Sequence, residues 1–90
     1  MSDKTIRFSQ HARTKFEVLL RHGLSFNEKT IIAIINDPDS ISEGYLGRKV
    51  AQGALDDRRV LRIVYEETTG GILVITFYPG KRERYEKSKI

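Results

Sequence analysis

The sequence contains no cysteine, and this absence excludes disulfide bonds, thiolate metal sites and cysteine nucleophiles. Histidine occurs only at positions 11 and 22, which is too few for a histidine-rich metal site, so we predict no metal and no cofactor. Long apolar runs are also missing, since the longest, near residues 31–35 and 72–78, are far too short to span a bilayer. Residues 1–7 lack the apolar run of a signal peptide. We therefore expect a cytoplasmic protein that does not bind membranes.

The chain nevertheless has enough apolar material to fold. Of its 90 residues, 39% are hydrophobic and 31% are charged, a balance typical of a small globular domain rather than of a disordered segment. We expect residues 1–90 to form a single domain that ends in a basic tail, residues 81–90. The formal net charge of +4 favours anionic partners, although ordinary solubility explains the charge equally well.

The first half of the sequence predicts a strand and two helices. Residues 5–8 alternate as an edge strand does, and Ser9 is a suitable N-cap for a helix over residues 10–22 that Gly23 ends. Ser25 and Glu28 form a capping box for a second helix that runs to about residue 36 and stops at Asp37-Pro38.

The second half predicts strands. Residues 48–55, 60–66 and 72–78 are predicted to form strands, and a hairpin turn at residues 68–71 joins the last two. Residues 41–45 are predicted as either loop or strand. Pro79-Gly80 is expected to end the last strand. The predicted order is β-α-α-β-β-β, an α+β fold in which two helices pack on one face of a small antiparallel sheet.

Strand parity separates the side chains of the last two strands into two faces. One face of each strand carries only apolar residues, and we expect this face to pack on the helices. Its residues are Leu61, Ile63, Tyr65, Leu73, Ile75 and Phe77. The opposite face then carries Arg62, Thr76 and Tyr78, which are suited to binding phosphate. An ordinary solvated sheet face has the same pattern.

Further basic residues lie in the tail, the middle and the first helix. In the tail, Tyr85 stands among five cations: Lys81, Arg82, Arg84, Lys87 and Lys89. This arrangement suits binding of single-stranded RNA and equally suits a tail that only keeps the protein in solution. Arg48 and Lys49 alternate along a strand, so only one can join the Arg62 face. His11, Lys15 and His22 form a polar stripe on the first helix, where a histidine is more often structural than catalytic.

Several motifs together resemble the RelE/ParE-like toxin superfamily of bacterial and archaeal toxin–antitoxin systems. Residues 8–13, Phe-Ser-Gln-His-Ala-Arg, look like the opening of a group close to the BrnT-like toxins. Residues 21–26 and 36–38 look like the BrnT-type run Lys-His-Gly-Val-Ser-Phe and Asp-Pro. Residues 59–65 and 82–86 resemble its arginine-containing strand and its Arg-Glu-Arg end. Thr-Phe-Tyr at 76–78 stands where BrnT-like toxins usually have Ser-Ala-Arg, which points to the related, largely uncharacterised group.

The resemblance implies a RelE-like fold and a toxin that is a metal-independent endoribonuclease, neutralised by an antitoxin protein. Its RNA substrate is free or bound to ribosomes, and the reaction is attack of the 2′-hydroxyl on the adjacent phosphate. Arg62 and Arg48 are then expected to stabilise phosphate charge, Arg82 to close the site and His11 to act as base. Thr76 would orient the phosphate, and Tyr78 or Tyr85 would stack on a base or donate a proton. The remaining RNA-binding candidates are Lys15, Lys49, Lys81 and Arg84.

Two other functions fit the same residues. One is a RelE-fold module that binds nucleic acid or a protein without catalysis, and the other is a ParE-like toxin that inhibits gyrase by protein contact.

Overall fold

The computed structural model describes residues 5–24 and 27–83, and these residues form two α-helices and a five-stranded sheet. The α+β class is therefore confirmed. In chain order the elements are β1 Thr5–Phe8, α1 Gln10–Arg21, α2 Glu28–Asn36, β2 Ser40–Glu43, a 3₁₀ turn Tyr45–Gly47, β3 Lys49–Ala54, β4 Arg59–Thr68 and β5 Gly71–Lys81.

The strands lie in the order β1-β5-β4-β3-β2. Neighbours are antiparallel except that β1 pairs parallel with β5, with Phe8 opposite Val74. The predicted antiparallel sheet is therefore wrong, because the mixed sheet places β1 beside the last strand. The predicted order also lacks β2, which overlaps residues 41–45, the segment predicted as either loop or strand. The four residues of β2, Ser-Ile-Ser-Glu, include one apolar side chain and are all exposed, so no apolar alternation marks the strand in the sequence.

Capping explains where the helices begin and end. The N–H of Ala12 donates to Ser9 Oγ (3.0 Å), and the Ser9 hydroxyl donates to the Ile75 carbonyl (2.8 Å), which fixes the start of α1 against β5. Gly23 follows the helix at φ +83°, a conformation that favours glycine. The N-cap of α2 is Asn27, whose side chain accepts from Thr30 N–H (3.3 Å). The predicted cap Ser25 lies outside the described residues.

Both helices pack on the same face of the sheet. The Phe16 ring of α1 lies 4.8 Å from the Phe77 ring and 5.9 Å from the Phe8 ring, and Ile34 of α2 lies against Gly53. A continuous core joins both helices to the strands: Phe8, Ala12, Leu19, Ile31, Ile34, Ile35, Ala51, Leu61, Ile63, Tyr65, Ile72, Val74 and Phe77. No helix in the described part of the chain has the length and apolar character needed to cross a membrane.

The last strand contains an extra residue that reverses its alternation. Val64 pairs with Thr76 but Tyr65 pairs with Val74, so Ile75 is a β-bulge. The predicted parity is therefore wrong for Leu73 and Ile75, which are only partly buried, while Ile72 and Val74 are in the core. Past the bulge Phe77 faces the helices, and Thr76 and Tyr78 face the opposite side with Arg62, as predicted.

Strand β5 also continues through Pro79-Gly80, where we expected it to end, and Pro79 pairs with Leu61. A proline lacks the N–H that a central strand needs, but it is tolerated at a sheet edge. Strand β1 ends opposite Val74, so within the described residues this end of β5 has no strand on its other side. The edge position explains why the proline does not stop the strand.

The close approach of α2 to β3 predicts that Gly53→Ala is destabilising. An added Cβ would lie 2.8 Å from Ile34 Cγ1 and 2.9 Å from its Cγ2, so we expect a loss of about 1–3 kcal/mol in urea denaturation. Gly70→Ala is the matched control, since nothing lies within 4 Å of its Cβ position. Combining Gly53→Ala with Ile34→Ala should cost less than the two single changes added. Equal stability of the Gly53→Ala and Gly70→Ala proteins would contradict this packing.

Candidate functional site

Arg62 lies at the centre of a polar row that crosses four strands on the face away from the helices. Ser40 of β2 pairs with Gln52 of β3, Gln52 with Arg62 of β4, and Arg62 with Tyr78 of β5. Arg62 donates from Nε to the Tyr78 hydroxyl oxygen (3.1 Å) and from Nη1 to Oε1 of Gln52. These four residues are called the Arg62 row below.

The Arg62 guanidinium is held in a semi-enclosed setting. Gln52 is only 4% exposed, and within the described residues no other amide or charged side chain is buried to this degree. Arg62 and Tyr78 are half-buried. The Arg62 Cζ also lies 5.9 Å from the centre of the Tyr78 ring. Partial burial lowers the local dielectric, so a fixed cation attracts an anion more strongly here than on an open surface.

A second row lies two residues along the strands and brings in a cation from a helix. Ser42, Val50, Val64 and Thr76 are its register partners, called the Thr76 row below. Lys15 Nζ of α1 donates to Thr76 Oγ1 across a long 3.4 Å hydrogen bond. Lys15, one of the predicted RNA-binding residues, thus reaches this face from helix α1. The face combining both rows is called the Arg62 face.

Arg48 immediately precedes β3 and Lys49 begins it, and the two side chains pair with adjacent residues of β4 that face opposite sides of the sheet, as the alternation predicts. Arg48 pairs with Glu66 through Nε and Oε2 (3.0 Å), four residues along β4 from Arg62, or about 13 Å at the usual strand rise. Lys49 pairs with Glu67 (2.9 Å), whose hydrogen bond and charge raise the pKa of Lys49. Both pairs are partly exposed and contribute little to stability. The structure does not bring either cation to Arg62.

The start of the tail contacts the β3–β4 turn. Arg82 donates its backbone N–H to the Arg58 carbonyl (2.9 Å) and Nη1 to the Asp56 carbonyl (3.3 Å). In that turn Asp56 accepts from the Arg59 side chain and from the N–H groups of Arg58 and Arg59, which lower the pKa of its carboxyl. Lys81, opposite Arg59, is exposed. Arg82 thus lies next to this turn, four residues along the chain from Tyr78 of the Arg62 row.

The other predicted residues are less closely tied to this face. His11 is exposed on α1, one helical turn before Lys15. Arg84 and Tyr85, the predicted RNA-binding residues of the tail, lie outside the described residues. The structure therefore groups Arg62, Thr76, Tyr78 and Lys15.

Sequence reasoning missed Gln52 and Ser40. The sequence contains a pattern that predicts the position of Gln52 beside Arg62. Gln52 is a polar residue among the small apolar residues of β3, and it lies as many residues before Asp57 as Arg62 lies after it. A hairpin centred on Asp57 pairs the two, and the observed register does so. No such pattern marks Ser40, because it precedes residues 41–45, the segment that the sequence predicts as either loop or strand.

Comparisons of this chain with protein-family models, with curated proteins and with solved structures find no match.

The hydrogen bond between Gln52 and Arg62 should appear as a coupling energy in a double-mutant cycle. Urea denaturation of Gln52→Leu, Arg62→Met and the double variant should give a coupling of about 1.5–3 kcal/mol, because one partner is charged. Pairing Gln52→Leu with Arg48→Met is the control, since Arg48 bonds Glu66 instead and the effects should add. A Gln52–Arg62 coupling no larger than that of the control cycle would show that the bond does not hold Arg62.

Proposed function

We propose that this protein is the toxin of a toxin–antitoxin system and cleaves RNA without a metal, with the Arg62 face as its site. The observation that carries the proposal is the Arg62 guanidinium, oriented on a half-buried sheet face by the buried Gln52 and by Tyr78. A planar guanidinium matches two oxygens of a phosphate, which makes it a suitable group for a phosphodiester. The motif resemblance supports RNA as the phosphodiester and a RelE-like fold as the scaffold.

The proposed reaction is an internal transesterification. The RNA 2′-oxygen attacks the adjacent phosphorus, its proton passes to a base, and the 5′-oxygen leaves with a proton. The products are a 2′,3′-cyclic phosphate and a 5′-hydroxyl. The rate depends on proton transfer and on stabilising the extra negative charge of the phosphorane.

The described side chains can take several of these roles. Arg62 stabilises the phosphorane, and the Thr76 hydroxyl, one row away, orients the phosphate backbone of the RNA. The Tyr78 oxygen accepts from Arg62 Nε, so its own O–H can donate to the leaving 5′-oxygen. His11 is the base that the resemblance indicates, and it lies exposed on α1 one helical turn before Lys15. An adjacent gene encoding the antitoxin is part of the same proposal.

The proposal predicts that Arg62→Ala lowers the rate of RNA cleavage about 10²–10³-fold, the usual effect of removing one oriented donor from a transition state. The assay uses labelled RNA in EDTA, alone and with translating ribosomes, and detects the cyclic phosphate. Arg21→Ala is the matched control, because it removes the same charge from an exposed site at the end of α1. Expression of the wild type should slow growth, and Arg62→Ala should relieve it.

Three outcomes would contradict parts of this proposal. If Arg62→Ala and Arg21→Ala cleave RNA equally fast, Arg62 is not part of the site. If the wild type binds RNA tightly but leaves it intact, with and without ribosomes, the chain is a binding module without catalysis. If RNA stays intact while gyrase is inhibited, the chain is a ParE-like toxin.

A further inference from the structure

Within the described part of the chain, Arg62 and Lys15 bring cationic side chains to the Arg62 face from different elements. Arg62 stands in β4, and Lys15 reaches Thr76 from α1. The helices pack on the opposite face, but β1 ends at Phe8, opposite Val74, so α1 starts beside β5 where no described strand covers that edge. This gap in the sheet edge explains how a helical lysine contacts a residue on the far face.

The sheet sets the spacing of the two rows that the cations contact. Tyr78 and Thr76 are two residues apart on one side of β5, as are Arg62 and Val64 on β4. Their rows are therefore about 6.6 Å apart along the strands. One nucleotide of an extended strand can bridge such a step, with one phosphate at each row.

The Lys15–Thr76 contact is suited to accept an anion. Lys15 is partly buried, and its hydrogen bond to Thr76 is long at 3.4 Å and joins a charged donor to a neutral acceptor. A phosphate oxygen is a stronger acceptor for an ammonium than a hydroxyl is. The Thr76 hydroxyl can then turn and donate to the same phosphate.

We propose that Lys15 and Thr76 form a second phosphate subsite beside Arg62, so that the Arg62 face binds two consecutive phosphates of one RNA strand. The strand then runs along β4 and β5 rather than across them. This inference rests on the proposed function in one respect, the identity of the ligand as RNA. The subsite itself is defined by the contacts of Lys15 and Thr76.

Small probes test the two subsites without any cleavage. The probes are a nucleoside 5′-monophosphate and a nucleoside 3′,5′-bisphosphate, whose phosphates flank one nucleotide, and binding is measured by calorimetry. The wild type should bind the bisphosphate roughly tenfold more tightly or better, since a second charged contact is added. Lys15→Met should remove most of that gain. Lys29→Met is the matched control because Lys29 is exposed on α2, and it should keep the gain.

A second variant covers the case in which Lys15→Met disturbs α1. Thr76→Val keeps the lysine and the side-chain shape but removes the hydroxyl, and it should reduce the gain partly. The subsite is overturned if the wild type shows no gain for the bisphosphate, or if the gain survives in both variants. Tighter binding of duplex RNA than of single-stranded RNA of equal length would overturn the single-strand arrangement.

The same proteins separate this inference from the proposed function when RNA cleavage is measured beside binding. If the wild type cleaves RNA but binds the bisphosphate no more tightly than the monophosphate, the second subsite is rejected and the toxin proposal is unaffected. A bisphosphate gain that depends on Lys15, in a protein that never cleaves RNA, supports the subsite and removes the catalytic function.

Discussion

The bulge at Ile75 is the constraint on which the proposed site depends. Without an extra residue, Thr76 and Tyr78 would face the helices together with Ile72 and Val74, which are buried in the core. The bulge reverses the alternation once, so the same strand contributes to the core at both ends. It also places Thr76 and Tyr78 on the face away from the helices, next to their register partners in β4. Bulges that redirect side chains in this way are frequent next to active sites.

Once the alternation is reversed, the antiparallel register determines which side chains lie beside Arg62. It sets Tyr78 and Gln52 on either side of Arg62, and both accept from its guanidinium. An arginine held from two strands loses little further side-chain entropy when it binds an anion, which is the advantage of a preorganised site. The Ser9 hydroxyl bond to Ile75 ties the same bulge to the start of α1, and Lys15 follows along that helix.

Local patterns in the sequence were enough to predict both helices, the β4–β5 hairpin and the grouping of Arg62, Thr76 and Tyr78. That grouping was obtained with an incorrect parity for Leu73 and Ile75, because residues 72–75 are all apolar and hide the change of phase that the bulge introduces. The parallel pairing of β1 with β5 is a contact between distant parts of the chain, which local patterns do not encode. The burial of Gln52 is likewise a property of the folded chain and not of its neighbours in the sequence.

The central claim is that RNA binds on the Arg62 face, and an NMR titration tests it most directly. Protein labelled with ¹⁵N is titrated with a short single-stranded RNA whose 2′-hydroxyls are methylated, so that it is not cleaved. The account predicts the largest shift changes at the Arg62 Nε–H and at the backbone amides of Gln52, Thr76 and Tyr78, with α2 unchanged. Changes confined to α2 or β1, with an unaltered Arg62 Nε–H signal, would contradict it.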